Sequence, residues 1–250
     1  MNIQSYTIVH YGKDYLSYAL KSVYHSVDQL NVFYTPNPSH GHQIDISPVE
    51  TKEELVKAAF AYDPDNKVKW FDMSGMRHEG QQRDAALEFC QSNGADLVVV
   101  VDCDEIWHRE QLELALSDAA EKSIRNHLVN MVHFWRSFNW VCRDDGWPVR
   151  IIDLRAPNRS VAYIPREMAQ VYHFGYAIVE KVMGYKMKIH GHKNELRPNW
   201  TEDYWRLQNS PVFDCHPTND NGFWYTEPFD KSELPDFMRD HPFYNLERIG

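Results

Sequence analysis

The chain has 250 residues, 43% of them apolar and 25% charged, with a net charge of −10. That length and balance suit one large globular domain, or a domain with an appendage, around a real core. The acidic balance argues against a broad nucleic-acid face or an anionic membrane surface, while leaving room for a local basic groove.

Residues 6–10, Tyr-Thr-Ile-Val-His, read as a first strand that Gly12 breaks. Asp14 is placed to cap a helix in which Tyr15, Leu16, Ala19, Leu20, Val23 and Tyr24 recur at helical spacing. Residues 31–34 form a second strand, followed by a loop rich in Pro, Ser, Gly and His through 36–42. Thr51 and Glu54 make a capping box that opens a helix ending before Pro64. Residues 67–71 are a third strand, and 81–92 a helix stopped by Gly94. After the run at 97–101, residues 110–122 repeat Leu and Ala at helical spacing. Strand and helix alternate, which predicts βαβ units in a mostly parallel sheet.

Beyond residue 126 the pattern changes. Residues 128–135 and 149–154 read as an antiparallel pair joined through Asp144-Asp145-Gly146, a turn signal. A helix is expected over 177–184. After Glu195, prolines at 198, 211, 217, 228, 235 and 242 rule out long helices and central strands, so 196–250 reads as an extension packed on a 1–195 domain. There is no internal repeat.

No run is long and apolar enough for a membrane span, and the start lacks a signal-peptide pattern. Cys90, Cys103, Cys142 and Cys215 stand far apart, which suits reduced thiols in a cytoplasmic protein. Eight Trp and fourteen Tyr serve a core first; such rings also stack on sugars.

The sharpest feature is Leu97-Val98-Val99-Val100-Val101-Asp102-Cys103-Asp104-Glu105. A short, β-branched apolar run reads as a buried parallel strand, and ligands in open α/β sheets bind beyond the carboxyl ends of such strands. Asp102 and Asp104 are spaced to share one hard cation, Mn²⁺ or Mg²⁺, whose remaining positions would take diphosphate oxygens. The rival reading is an ordinary solvated turn or helix cap. A Walker-type acidic strand requires a Gly-x4-Gly-Lys-Ser/Thr loop, which is missing, and the calcium-loop pattern lacks its Gly and its Glu.

Three patterns together resemble the family 2-like glycosyltransferases of the GT-A fold: Ile8-Val9-His10-Tyr11-Gly12-Lys13-Asp14, Glu79-Gly80-Gln81-Gln82-Arg83-Asp84, and the D-x-D strand. The second match is partial, since Gln82 and Asp84 stand where the family has Ala and Asn. The resemblance implies a metal-dependent glycosyltransferase that moves a sugar from a nucleotide-sugar donor to an acceptor hydroxyl. That hydroxyl would sit on a glycan, a small molecule or a modified DNA base. It puts His10 and Tyr11 on the nucleoside and Cys103 where the backbone nears the ribose. Gly80, opening a helix with free N–H groups, and Arg83 would steady the diphosphate. His173, before Phe174-Gly175-Tyr176, is implied as a late ligand beside the two acids.

An inverting transfer needs a carboxylate base. Asp144, Asp145, Asp153 and Glu167 lie in the expected interval, with Asp145 and Glu167 favoured; without a base the reaction would retain configuration. His190-x-His192 is too sparse for zinc, and with Lys186, Lys188 and Lys193 it reads as a polar rim over the phosphates or a solvated face. Two alternatives stay open. A nucleotidyltransferase shares the acidic strand end but would carry a Gly-rich loop where Tyr11-Gly12-Lys13 stands. A non-catalytic carbohydrate-binding protein would use the aromatic rings alone.

Overall fold

A computed structural model describes residues 1–38, 47–76, 78–143, 146–157, 160–189, 191, 194–206, 217–218 and 226–250. In chain order the elements are β1 (Ile3–Val9), α1 (Lys13–Val23), β2 (Gln29–Tyr34), α2 (Lys52–Ala59), β3 (Val68–Asp72), α3 (Glu79–Ser92), β4 (Leu97–Val100), β5 (Glu105–Trp107) and α4 (Arg109–Lys122). There follow β6 (Asn126–Leu128), β7 (Asn130–Trp135), β8 (Trp140–Arg143), β9 (Val149–Asp153), β10 (Val161–Tyr163), β11 (Gln170–Tyr176), α5 (Glu180–Ile189) and β12 (Thr226–Pro228).

The first sheet runs β10-β6-β9-β4-β1-β2-β3, with β3, β2, β1 and β4 all parallel. The Val-rich β4 is wholly buried, as its uninterrupted apolar sequence demands in a sheet covered on both faces. Parallel pairing of β1 with β4, Ser5 opposite Val99, brings the segments after both strands to the same edge of the sheet. His10 and Asp102 therefore end on one rim. A smaller sheet, β12-β8-β7-β11-β5, takes the chain immediately after that rim. There β5 pairs antiparallel with β11, which sets His173 opposite Glu105.

The expected hairpin forms differently. Residues 128–135 split between the sheets: β6 pairs antiparallel with β9, while β7 pairs antiparallel with β8. The hairpin turn falls at 136–139, and Asp144 and Asp145 lie outside the described residues. The helix expected at 177–184 is α5, which begins three residues later and runs on to Ile189, so Lys186 and Lys188 are helical. His190, His192 and Lys193 are outside the described residues.

The capping box at Thr51 and Glu54 is present. Asp14 is not the cap of α1; it lies in the first turn, and Gly12 holds the cap position at φ 112°. Burial shapes this end of the helix. The Glu50 carboxylate accepts from the N–H groups of Gly12 (2.7 Å) and Lys13 (2.9 Å), supplying from a distance what a local cap would provide.

Past Glu195 the described residues hold only short helical turns (Thr201–Arg206, Lys231–Glu233, Asp236–Asp240) and the edge strand β12. Trp200, Trp205, Phe229, Leu234, Met238 and Ile249 nevertheless join the main hydrophobic core. Buried Arg136, at φ 55°, ties the segment down: its guanidinium donates to the carbonyls of Trp205 and Arg206, and its own carbonyl accepts from Ile249.

His241 is a second tie. It is 3% exposed and stacks on Tyr15 with ring centroids 4.5 Å apart. Its Nε2 meets the Asp14 carbonyl at 3.0 Å, and its Nδ1 accepts from the Phe243 N–H at 3.1 Å. Those partners fit only the neutral ring with its proton on Nε2. Burial accordingly lowers the imidazole to about 4, against a partial pull upward from the Asp14 carbonyl. The unfolded ring binds a proton near pH 6.5 and the folded ring does not. Stability from this group is thus present above pH 6.5 and declines as pH falls toward 4, by up to about 3 kcal/mol. Urea unfolding at pH 7 and pH 4.5 should show His241→Phe losing less stability over that interval than the parent protein.

Candidate active site

A cavity of about 370 Å³ opens at the rim where β1, β2 and β4 end, with His10, Tyr11, Arg83, Cys103, Asp104 and His173 among its lining residues. Asp102, Lys186, Gln82, Thr35 and Glu79 line it as well. Chain order scatters these side chains over the ends of β1, β2 and β4 and over α3, β11 and α5, and the fold gathers them at one rim.

Asp102 is held between two arginines. Its Oδ1 accepts from Arg83 (3.1 Å) and its Oδ2 from Arg150 (2.9 Å). Arg83 also donates to Glu79 (2.7 Å), and Arg150 Nε donates to Glu105 Oε1 at 3.0 Å. Glu105 closes the loop on itself, its Oε2 accepting from the Asp102 N–H at 3.1 Å. Burial raises the Asp102 carboxyl, but Arg83 and Arg150 outweigh it and hold the group well below the usual carboxylate range. Glu105, completely buried, is pushed up by desolvation while Arg150 pulls it back.

Asp104 has a different environment. Its carbonyl accepts from the Phe174 N–H at 2.8 Å, which locks the strand end against β11. Its Oδ1 stands 3.5 Å from His173 Nε2. Burial raises its carboxyl, with Lys186 acting in the opposite sense and Asp102 adding to the rise. His173 is held well below the ordinary imidazole range by burial first, then by His133 and Lys186. Its Nδ1 lies 2.7 Å from His133 Nδ1, so one ring supplies a proton and the other a lone pair.

Two glycines make this packing possible. A Cβ on Gly12 would stand 2.5 Å from Cys103 Sγ, and the thiol donates to the Tyr11 carbonyl at 3.2 Å. A Cβ on Gly175 would lie 2.6 Å from His173 Nε2 and 2.7 Å from Lys186 Nζ. The strand register slips between His173 and Tyr176, and the Gly175 carbonyl accepts from Lys186 at 2.9 Å. The aromatic-Gly-aromatic pattern is the mark of that bulge.

His10 is fixed at both nitrogens, Nδ1 to the Thr35 carbonyl (2.8 Å) and Nε2 to the Tyr185 hydroxyl (2.6 Å). Burial lowers its imidazole, against the pull of the Thr35 carbonyl. Gly80 does not offer a free N–H. Helix α3 starts one residue earlier, and the Gly80 N–H donates to His78 Nδ1 at 3.2 Å. Glu167 is exposed on the turn before β11 and is absent from the cavity lining, so the structure does not place it as a base there. Asp145 is outside the described residues. Asp153 pairs with Arg155 opposite Leu97, at the start of β4 and away from the rim.

Among the described residues no three His, Cys, Asp or Glu side chains form a group able to hold a metal ion. Asp102, Asp104 and His173, expected as ligands, line one cavity, where both Asp102 oxygens accept from guanidinium groups. Asp104 and His173 remain as a facing pair. Sequence reasoning missed Arg150, Glu50 and His133. A charged residue inside the apolar run Val149-Arg150-Ile151-Ile152 was the available signal for the first; Glu50 had none.

No protein-family model matches the chain, and no curated protein does. Among solved structures it is similar to residues 1–349 of S. aureus TarS in complex with UDP, at 17% identity and a TM-score of 0.35, over 54% of this chain and 36% of that one. It is also similar to GalNAc-T7 with UDP, GalNAc and Mn²⁺, at 11% identity and a TM-score of 0.44, over 69% of this chain and 44% of that one. Both matches span less than half of the solved chain.

Proposed function

We propose that this chain is a GT-A-type glycosyltransferase that moves a sugar from a nucleoside-diphosphate sugar to an acceptor hydroxyl. The observation that carries the reading is the mixed chemistry of one rim cavity, with the cations Arg83 and Lys186 beside the oxygen and nitrogen donors Asp104 and His173. Asp104 and His173 fit a Mn²⁺ or Mg²⁺ ion whose other positions come from substrate phosphates, since such ions are commonly held by one or two carboxylates and the substrate itself. When bound, the ion would offset diphosphate charge as the glycosidic bond breaks.

The chain's own residues do the rest. Arg83 and Lys186 bring fixed positive charge to the diphosphate, Arg83 with its orientation set by Glu79 and Asp102. His10 and Tyr11 form the wall for the nucleoside, and Cys103 the backbone turn beside it. Residues 1–195 make the catalytic unit and 196–250 the extension that braces it, in a cytoplasmic enzyme. Among the described residues no helix is long and apolar enough to cross a membrane.

The test is a thermal-shift panel of nucleoside diphosphates with and without Mn²⁺, followed by turnover of the matching nucleotide sugars. One nucleotide should stabilise the protein more strongly with the ion, and turnover should release nucleoside diphosphate. Pyrophosphate release would make the protein a nucleotidyltransferase instead. Sugar binding with no nucleotide response would make it a lectin-like binder.

A further inference from the structure

Helix α5 has two working faces. Lys186 and Ile189 line the rim cavity, whereas Glu180, Lys181, Gly184, Tyr185 and Lys188 line a second, more open cavity of about 460 Å³, flanked by Val49 and Arg206. Tyr185 joins the two, because its hydroxyl meets His10 of the rim cavity at 2.6 Å. A Cβ on Gly184 would meet nothing within 4 Å, so the helix surface between the two lysines is open floor. Lys181 and Lys188 lie two turns apart and Gly184 between them, on one side of the helix. Among the described residues no carboxylate pairs with either lysine. Arg206 is paired with Glu180 at 2.6 Å and lies 4.0 Å from Glu202, so the positive surplus on this wall of an acidic protein comes from Lys181 and Lys188.

We infer that this second cavity is the acceptor subsite and that it takes an acceptor carrying a phosphate ester. The inference rests on the glycosyltransferase reading of the neighbouring cavity. A phosphate dianion suits the two unpaired ammonium groups that this face of α5 presents, and a neutral sugar gains nothing from them. Tyr185, buried and bonded to His10, is the wall that the two cavities share.

Calorimetric titration of the whole protein, saturated with Mn²⁺ and the nucleoside diphosphate that gives the strongest thermal shift, with glucose 6-phosphate, glucuronate and glucose tests this. Glucose 6-phosphate should bind at least about tenfold more tightly than glucose, the equivalent of one charge-assisted contact. The exposed-position pair Lys181→Glu/Lys188→Glu should remove that advantage, and Lys181→Arg/Lys188→Arg should keep it. The thermal shift with that nucleotide should be unchanged in both. Equal binding of all three probes, a preference for glucuronate, or indifference to charge reversal overturns the inference while leaving the donor site intact. Absence of a response to every nucleoside diphosphate of the panel overturns the donor reading first, and the acceptor assignment with it.

Discussion

Asp104→Asn is expected to lower sugar transfer by a factor on the order of 10²–10³, the usual cost of removing one preorganised charge-stabilising group. The substitution keeps the side-chain volume and leaves the backbone bond from Phe174 to the Asp104 carbonyl in place. Stability should hold, because burial already disfavours the charged form of Asp104 and a neutral amide avoids that penalty. The two readouts therefore separate: urea unfolding unchanged, kcat collapsed, and the Mn²⁺-dependent part of the nucleotide thermal shift lost. A variant that turns over within about threefold of the parent would remove Asp104 from the chemistry.

The same residue shows what sequence could and could not reveal. The strand before it was legible because a five-residue apolar run with four valines admits few other fates, and an acidic cluster at its end marks a rim. The parallel order of β1 to β4 followed from alternating periodicities. What escaped was everything set by pairing at long range. The apolar run of β9 looks the same whether it pairs with β7 or enters the main sheet beside β4, and only the latter brings Arg150 to Glu105, 45 residues away. Likewise, the D-x-D spacing suggests two equivalent ligands. Position relative to Arg83 and Arg150 makes them unequal: Asp102 is an anchor for guanidinium groups and Asp104 faces an imidazole. Glu50 carried no local signal because its work is done across a loop on the N–H groups of Gly12 and Lys13. Gly175 was visible as a pattern, but its reason, space for His173 and Lys186, exists only in three dimensions.

Arg150→Met should be the most destabilising single change at the site. Its side chain is 8% exposed, and its guanidinium donates to Glu105 through Nε and Nη2, to Asp102 through Nη2, and to the Val149 carbonyl at 3.1 Å. Removing it leaves the fully buried Glu105 and one Asp102 oxygen without their cation. Breaking a buried pair from one side costs about 3–5 kcal/mol, a melting-temperature loss of roughly 10 °C in a domain of this size. Lysine should not rescue it, for an ammonium cannot reproduce the fork that spans two carboxylates. Glu105→Gln in the Arg150→Met background should recover part of the loss, because the stranded charge is then gone while the amide still accepts from the Asp102 N–H. Differential scanning calorimetry on the two single variants and the double gives the coupling energy. Strict additivity of the two losses would mean that Arg150 does not hold the acidic loop in place, and the positioning of Asp104 would then need another cause.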